Sequence, residues 1–414
     1  MRKILLIPVL ALLLNSCNND VEIVNPVSGS PDFISETTPL NINSKQYMEG
    51  IYSVSQGQEL LGEQVVVKWT RDRLSIFSGI NGGFINLEGG SLDSVLFFQG
   101  FWRQILNTET GAVNFYIPSE EGGKSILDCD TSSMEIRLRG SYGYGNELAA
   151  EKIILSYQRP FSQIVDNNDF QILAHRGGGR NSDYLGVSEN SIPMINIAER
   201  LGATGIEIDL RLSRDGVPFI YHDNDINLRL CQKSLIWGNI EDFTWPQIRT
   251  LITLRNGEKI PSLQEVLEFV LEHTTLRTVW FDIKDVKVLS KAVEIQNEIL
   301  LRAASLERDL KIYIGIPDEE ILNAFSNYPD HTEIPSLCEL SPEDVRTINA
   351  DVWAPRWTLG LQSPEVMQVH AEGRKAFVWT LDEPNYIKQY LDEGQFDGIL
   401  TNYPEILAYY HYIR

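Results

Sequence analysis

The chain has only four cysteines in 414 residues. Cys17 lies in an N-terminal segment, and the remaining three, Cys129, Cys231 and Cys338, are odd in number and widely spaced. That excludes a disulfide framework and any zinc site built on paired cysteines. All three read as structural, with one pair at most able to bridge in an oxidising compartment. Basic residues are also scarce: 35 Lys and Arg face 57 Asp and Glu, a net charge of −22. Such a chain has little with which to release counterions from a phosphate backbone, which argues against nucleic acid as a partner. A small anionic substrate would need a local cluster of cations or a metal. Long apolar runs are missing too: Ile4 to Leu14 is too short to span a bilayer. There is no internal repeat of about 20 to 50 residues, which excludes a solenoid. With hydrophobic residues at 43% and charged residues at 22%, the chain is too apolar to be largely disordered.

What is present begins with Arg2 and Lys3, the apolar run, and Leu14-Asn15-Ser16-Cys17, which together read as an export signal. The ending resembles a bacterial lipoprotein signal, in which Cys17 becomes the lipidated first residue, although Asn15 is unusual at its position. Residues 1–17 are therefore expected to be a signal peptide, and residues 18–40, rich in Asn, Ser, Pro and acids, a flexible tether. The expected location is the bacterial cell envelope, periplasmic or outer surface, held to the membrane through the N-terminal lipid.

The rest divides into two textures. Between about Gln46 and Gln158, short runs such as "QVVVKWT", "RLSIFSG", "SVLFFQGFWRQI", "AVNFYI" and "EKIILSYQ" follow one another, punctuated by Gly, Asn and Asp. No helix-period stretch of useful length intervenes, so residues 41–163 predict an all-β sandwich or small barrel. Its Trp and Tyr residues suit core packing better than a ligand surface, with a glycan or lipid ligand left open. No motif assigns this region a function. From Phe170, strand-like "FQILAH", "GIEIDL", "PFIYH", "TVWFDI", "KIYIGI", "KAFVWTL" and "FDGILT" are mostly separated by helix-like stretches. That order predicts an α/β TIM-type (β/α)8 barrel over residues 164–414. Between Glu333 and Leu359, "SLCEL" and "DVWAP" compete for strand status.

Within this half, costly polar groups interrupt apolar strands. Residues two apart on a strand share a face, so Glu207 and Asp209 project together while Ile206, Ile208 and Leu210 point the other way. Two buried carboxylates side by side resist ionising unless a cation sits between them, and a hard divalent ion bound by oxygens resolves the conflict. "TVWFDIKD" repeats the device with Asp282 and Lys284. His175 and Arg176 close "FQILAH", His222 closes "PFIYH", and catalytic groups of such barrels gather where strands end. A two-residue Asp215-Gly216 hairpin turn would set Asp209 opposite His222. A strictly parallel barrel would instead cross back between Leu212 and Val217, too short for a helix. Both routes leave the two side chains near one rim. Each element is common without function; their ordered co-occurrence carries the signal.

These residues resemble the glycerophosphodiester phosphodiesterases, within the phospholipase-C-like phosphodiesterase barrels. The matches are "AHRGGG" (174–179), "ENS" (189–191), "IEIDLRLSRDGVPFIYHD" (206–223), "FDIK" (281–284), "FVWTL" (377–381) and "DGILTNYP" (397–404). The likeness runs from Phe170 to the C-terminus and does not reach the β region. It implies that Glu207, Asp209 and Asp282 hold a divalent metal, calcium or magnesium. It also implies His175 as general base, His222 as general acid, Arg176 and Lys284 on phosphate oxygens, and Trp379 on the substrate pocket wall. Glu189 and Asn190 would orient Arg176 or its loop, with Glu189 equally suited to cap a helix near Ser191. Three departures stand out. Asp282 replaces the family's usual Glu, Asn402 replaces an Asp, and the stretch Arg180 to Ser188 is longer than the family's minimal loop.

The chemistry required by a phosphodiester agrees: charge neutralisation, a base and an acid acting together. The expected function is hydrolysis of glycerophosphodiesters to glycerol 3-phosphate and an alcohol by an exported, metal-dependent phosphodiesterase. Two alternatives stand beside it. One is a non-catalytic, envelope-anchored protein binding glycan or lipid head groups with a degenerate barrel. The other is a phosphodiesterase acting on lysophospholipids or phosphoinositides.

Overall fold

The structure, a computed structural model, describes residues 32–130, 135–166, 169–181 and 185–414. The expected signal peptide, Cys17 and most of the tether lie outside the described residues. Among the described residues no helix is long and apolar enough to cross a membrane.

The first half is a barrel rather than a sandwich. Strands β1 (Gly50–Gln56), β2 (Gln64–Thr70), β3 (Arg73–Ser78), β4 (Gly83–Leu92), β5 (Val95–Gln104), β6 (Thr110–Ile117), β7 (Arg137–Tyr142) and β8 (Glu151–Arg159) pair each with the next, and β8 closes on β1. The sequence left β1 and β4 unnamed, and in β4 the cause is glycine. At Gly90 a Cβ would stand 2.2 Å from the Thr38 carbonyl oxygen, so only a bare backbone lets Thr38 and Ser91 bridge there. The alternate side chains pointing inward, among them Tyr52, Phe98, Trp102, Phe115 and Leu138, form one buried cluster. Trp102 meets Tyr142 and Tyr144 edge-on, at centroid separations of 6.3 and 5.2 Å, and its indole N–H donates to the Gly143 carbonyl at 2.9 Å. Tyr52, Trp69, Trp102 and Tyr142 thus pack the core, as expected from the sequence, while Tyr116 and Tyr144 are exposed.

The second half contains β9 (Gln171–Ala174), β10 (Gly205–Leu212), β11 (Pro218–Ile220), the short pair β12 (Asp225–Ile226) and β13 (Gly238–Asn239), β14 (Thr278–Ile283), β15 (Lys311–Ile316), β16 (Ser336–Cys338), β17 (Val352–Trp353), β18 (Lys375–Val378) and β19 (Gly398–Thr401). Strands β9, β10 and β14 to β19 run parallel and close through the β19–β9 and β9–β10 pairings, with helices between most of them. Both "SLCEL" and "DVWAP" supply strands, of 3 and 2 residues. Lengths this short give no periodicity to read.

β11 lies antiparallel on β10, outside the ring, so both routes left open by the sequence are partly realised. The register differs from the expected one: Leu210 pairs with Ile220 and Leu212 with Pro218. Asp209 therefore opposes Tyr221, whose N–H donates to the Asp209 carbonyl at 3.0 Å, and His222 falls one residue beyond. The reason is the connection. Ser213 Oγ accepts from Val217 N–H at 2.9 Å and donates to Asp215 at 2.8 Å, widening the turn beyond Asp215-Gly216. A slip of one residue exchanges strand faces.

Leu173, Trp280, Tyr313, Leu337, Phe377 and Leu400 plug the large barrel's interior. β10 is the exception, because Glu207 and Asp209 take interior positions. Parallel register sets Glu207 beside Trp280 and Asp209 beside Asp282, which brings the carboxylates of two strands together.

The two barrels share a core. Ile51, Val66, Phe77 and Phe84 from the outer wall of the small barrel cluster with Ala198, Leu201 and Ile406 of the large one. Arg71 Nε donates to Glu199 at 2.6 Å, Ser75 Oγ to the Arg200 carbonyl at 2.8 Å, and Arg159 to the Ile413 carbonyl at 2.6 Å. All three described cysteines are free, and Cys231 and Cys338 are buried.

Candidate active site

Carboxylate oxygens of Glu207, Asp209 and Asp282 lie within 4.8 Å of one another. Lys284 Nζ reaches Asp209 at 2.9 Å and Asp282 at 2.5 Å. Burial, then the charges of Asp209 and Asp282, push the Glu207 carboxyl well above the carboxylate range. Burial pushes Asp209 the same way, but Lys284, His222 and Arg176 hold it below its ordinary value. The three groups thus share fewer charges than carboxyls. Glu207 Oε1 is buried with no hydrogen-bond partner among the described residues. A buried oxygen with nothing to accept from, beside two further carboxylates, is a donor set that fits a hard divalent cation such as calcium or magnesium.

His175 follows β9 directly. The next residue, Arg176, adopts φ +52°, which turns its backbone N–H onto Glu207 Oε2 at 2.7 Å. His175 Nδ1 is 2.9 Å from Asn402 Oδ1, and Asn402 donates through Nδ2 and its backbone N–H to the two Asp382 oxygens, both at 2.7 Å. With that amide nitrogen committed to Asp382, its oxygen faces the imidazole. Nδ1 therefore carries the proton and Nε2, 3.8 Å from Glu207 Oε2, keeps a lone pair. Burial, and next the Arg176 charge, lower the His175 pKa to about 4, so the ring is neutral at pH 7. The charge absent from position 402 returns one contact away in Asp382, which the sequence reading missed although it directly follows "FVWTL".

His222 Nδ1 contacts Asp223 Oδ1 at 2.6 Å. Arg229 holds the same carboxylate at 2.6 and 3.1 Å and reaches both Glu189 oxygens at 3.3 Å; Glu189 accepts from Arg176 at 3.2 Å. An alternating chain Arg176–Glu189–Arg229–Asp223–His222 results. Although burial raises it, the Asp223 carboxyl is held well below its ordinary value by Arg229 and His222. Of the two roles open to Glu189, the structure displays the ion pair; Ser191 itself caps the helix Ile192–Ala198. Asn190, at φ +53°, donates to Asp209 Oδ2 at 2.6 Å. Arg229 was not singled out from sequence, since nothing local marks an exposed loop arginine.

A cavity of about 510 Å³ beside His222 is lined by Lys284, Arg211, Asp223, Asp225 and Asn227. Across the mouth, Trp379 donates from its indole to the Ala354 carbonyl at 2.8 Å, and the Arg356 guanidinium lies 4.8 Å over its ring. Glu339, just past β16, was also missed. Burial, then Asp282, push its pKa up to about 8, against the pull of Lys284 and Arg356. The structure therefore brings together His175, Arg176, Glu207, Asp209, Asp282 and Lys284, with His222 sharing a cavity with Lys284 and Trp379 beyond. Part of the long loop after Arg180, residues 182–184, lies outside the described residues.

Comparison with known proteins identifies the family to which the large barrel is similar. Residues 175–406 match the glycerophosphoryl diester phosphodiesterase family. A glycerophosphodiester phosphodiesterase from Caldanaerobacter subterraneus subsp. tengcongensis is 28% identical over 253 residues, 57% of this chain and 95% of that protein. Human glycerophosphodiester phosphodiesterase 1 is 37% identical over 185 residues, 40% of this chain and 52% of that protein. A crystal structure of a glycerophosphodiester phosphodiesterase from Parabacteroides distasonis aligns with a TM-score of 0.46 at 24% identity, over 57% of this chain and 94% of that one. With its matched segment spanning more than half of its length, the chain belongs to the glycerophosphoryl diester phosphodiesterase family, a family of phosphoric diester hydrolases.

Proposed function

We propose that the chain hydrolyses glycerophosphodiesters to glycerol 3-phosphate and an alcohol, with Glu207, Asp209 and Asp282 holding a divalent cation, calcium or magnesium. The observation that carries this reading is the orphaned Glu207 oxygen beside two further carboxylates, within reach of a neutral imidazole. When bound, such an ion supplies Lewis-acid polarisation of a phosphoryl oxygen. Arg176 and Lys284 hold the remaining phosphate oxygens, Arg176 through its forked guanidinium. His175 Nε2 takes the proton of the attacking hydroxyl, and His222 returns one to the oxygen of the departing alcohol. In the family resemblance the attacking group is the substrate's own glycerol hydroxyl, and water then opens the cyclic phosphate. Trp379 walls the pocket.

Asp282 and Asn402, two of the departures from the family's pattern, are the residues that would favour a degenerate barrel. Against it, Asp282 stands in register with Asp209, and Asn402 makes the His175 contact itself. The proposal extends to export and lipid anchoring at Cys17, supported by the basic flank and apolar run before it. The test is release of glycerol 3-phosphate from glycerophosphocholine with calcium, with magnesium and with chelator. Absence of product in either ion overturns the reading. Loss of fatty-acid labelling in Cys17→Ser tests the anchor.

A further inference from the structure

The residues between β12 and β13, 227–237, form a flap beside the catalytic cavity. Its base is fixed: Leu230 and Cys231 are buried with Phe219, Tyr221, Ile240 and Ile248. Its edge is not covered. Leu228, Leu235 and Trp237 are 73%, 85% and 81% exposed, and on the other side of the mouth, after β17 and β18, Leu359 and Tyr386 are 64% and 45% exposed. Scattered single apolar side chains are ordinary on a surface, but three on one anchored flap next to a binding cavity are not. Each rim also carries an exposed cation, Lys233 on the flap and Arg356 opposite; neither forms an ion pair among the described residues. In a chain of net charge −22, exposed cations without a salt bridge among the described residues, beside exposed Trp and Leu, are complementary to one kind of surface. Its outer layer is anionic phosphate and its next layer is hydrocarbon.

We infer that the mouth of the large barrel docks on a lipid bilayer. Leu228, Leu235 and Trp237 enter the acyl boundary, and Lys233 and Arg356 meet lipid phosphates. The catalytic cavity, which the flap lines through Asn227, then opens at the level of the head groups. The docking is independent of any anchor at Cys17 and of turnover.

The full chain and its Trp237→Phe variant are mixed with phosphatidylcholine vesicles, with and without bromine on the upper acyl carbons, and the difference between their emissions isolates Trp237. Brominated vesicles are expected to quench that difference signal. The triple variant Leu228→Ser, Leu235→Ser, Trp237→Ser should lose vesicle partitioning by about tenfold or more, the weight of 1.4 kcal/mol. Its turnover of soluble glycerophosphocholine should match the parent chain's. A Trp237 signal equal in both vesicles overturns the inference. So does a triple variant that partitions like the parent, or a soluble turnover that falls along with partitioning. A dimer in solution that the triple variant dissociates, without quenching by vesicles, assigns the patch to a second copy and overturns it equally. Absence of glycerophosphocholine turnover in the parent would count against the proposed reaction and leave the quenching result standing.

Discussion

Asn402 Oδ1 sits 2.9 Å from His175 Nδ1 while Asp382 grips the nitrogen of the same amide. A neutral group fixed by a charged one sets the imidazole's tautomer without placing a negative charge against the ring. Asn402→Leu should lower kcat by about tenfold to a hundredfold with little change in KM, the usual weight of a misplaced general base. Asn402→Asp puts a carboxylate on the ring and favours its protonated form, raising the His175 pKa from about 4. The base is then lost at higher pH, so the acid limb of the kcat/KM profile should move upward. An unmoved limb would remove His175 from the role of base.

Chelation should abolish turnover, and calcium or magnesium restore it. Either ion should also raise the melting temperature, since a ligand at a hundredfold excess over its Kd contributes about 2.7 kcal/mol. Glu207→Gln should lose both effects. Without ion it should be at least as stable as the parent, because it relieves the crowding that pushes the Glu207 carboxyl up. A parent chain whose melting ignores both ions would contradict the assignment.

Arg229→Gln breaks the chain that steadies Asp223 against His222. Turnover of glycerophosphocholine, whose alkoxide needs a proton to depart, should fall by about tenfold. A nitrophenyl phosphodiester, whose leaving group departs unaided, should be much less affected. Equal losses on both substrates would mean that Arg229 serves the phosphate instead.

His411, stacked on Phe170 at 4.8 Å, has its pKa lowered to about 3 by burial and then by Arg414 and Lys68. The unfolded chain takes a proton there near 6.5. Its contribution to stability is therefore complete above about pH 6.5 and is lost as pH falls toward 3. His411→Phe should lose on the order of 2 to 3 kcal/mol less than the parent between pH 7 and pH 4. Denaturant melts at the two values measure the difference.

Gly202 has φ +89°, and a Cβ there would stand 2.4 Å from the Ala408 Cβ. Gly202→Ala should cost about 2 kcal/mol or more, combining backbone strain with overpacking. A thermal shift of less than a degree would show that the contact gives way freely.

How much of this was legible follows from where each signal lives. Apolar strands with polar residues at fixed offsets announced Glu207, Asp209, Asp282 and Lys284, because a period of two is local. His175 and His222, proposed as base and acid, were readable as strand ends. Asp382, Arg229, Glu339 and Arg356 were not, because each acts only through a partner on another strand or loop. The β10–β11 register was misjudged by one residue because Ser213 and Asp215 side chains set the turn. β4 was missed because glycines needed for close backbone approach diluted its alternation, and β16 and β17 were left competing because strands of 3 and 2 residues show no periodicity.

The wall joining the two barrels has a thermodynamic corollary. Phe77 and Phe84 belong to the same apolar cluster as Leu201 and Ile406. Neither cylinder can come apart without wetting side chains of the other, so calorimetry should register one endotherm rather than two. A lesion on either side of that seam would then be felt through the whole chain.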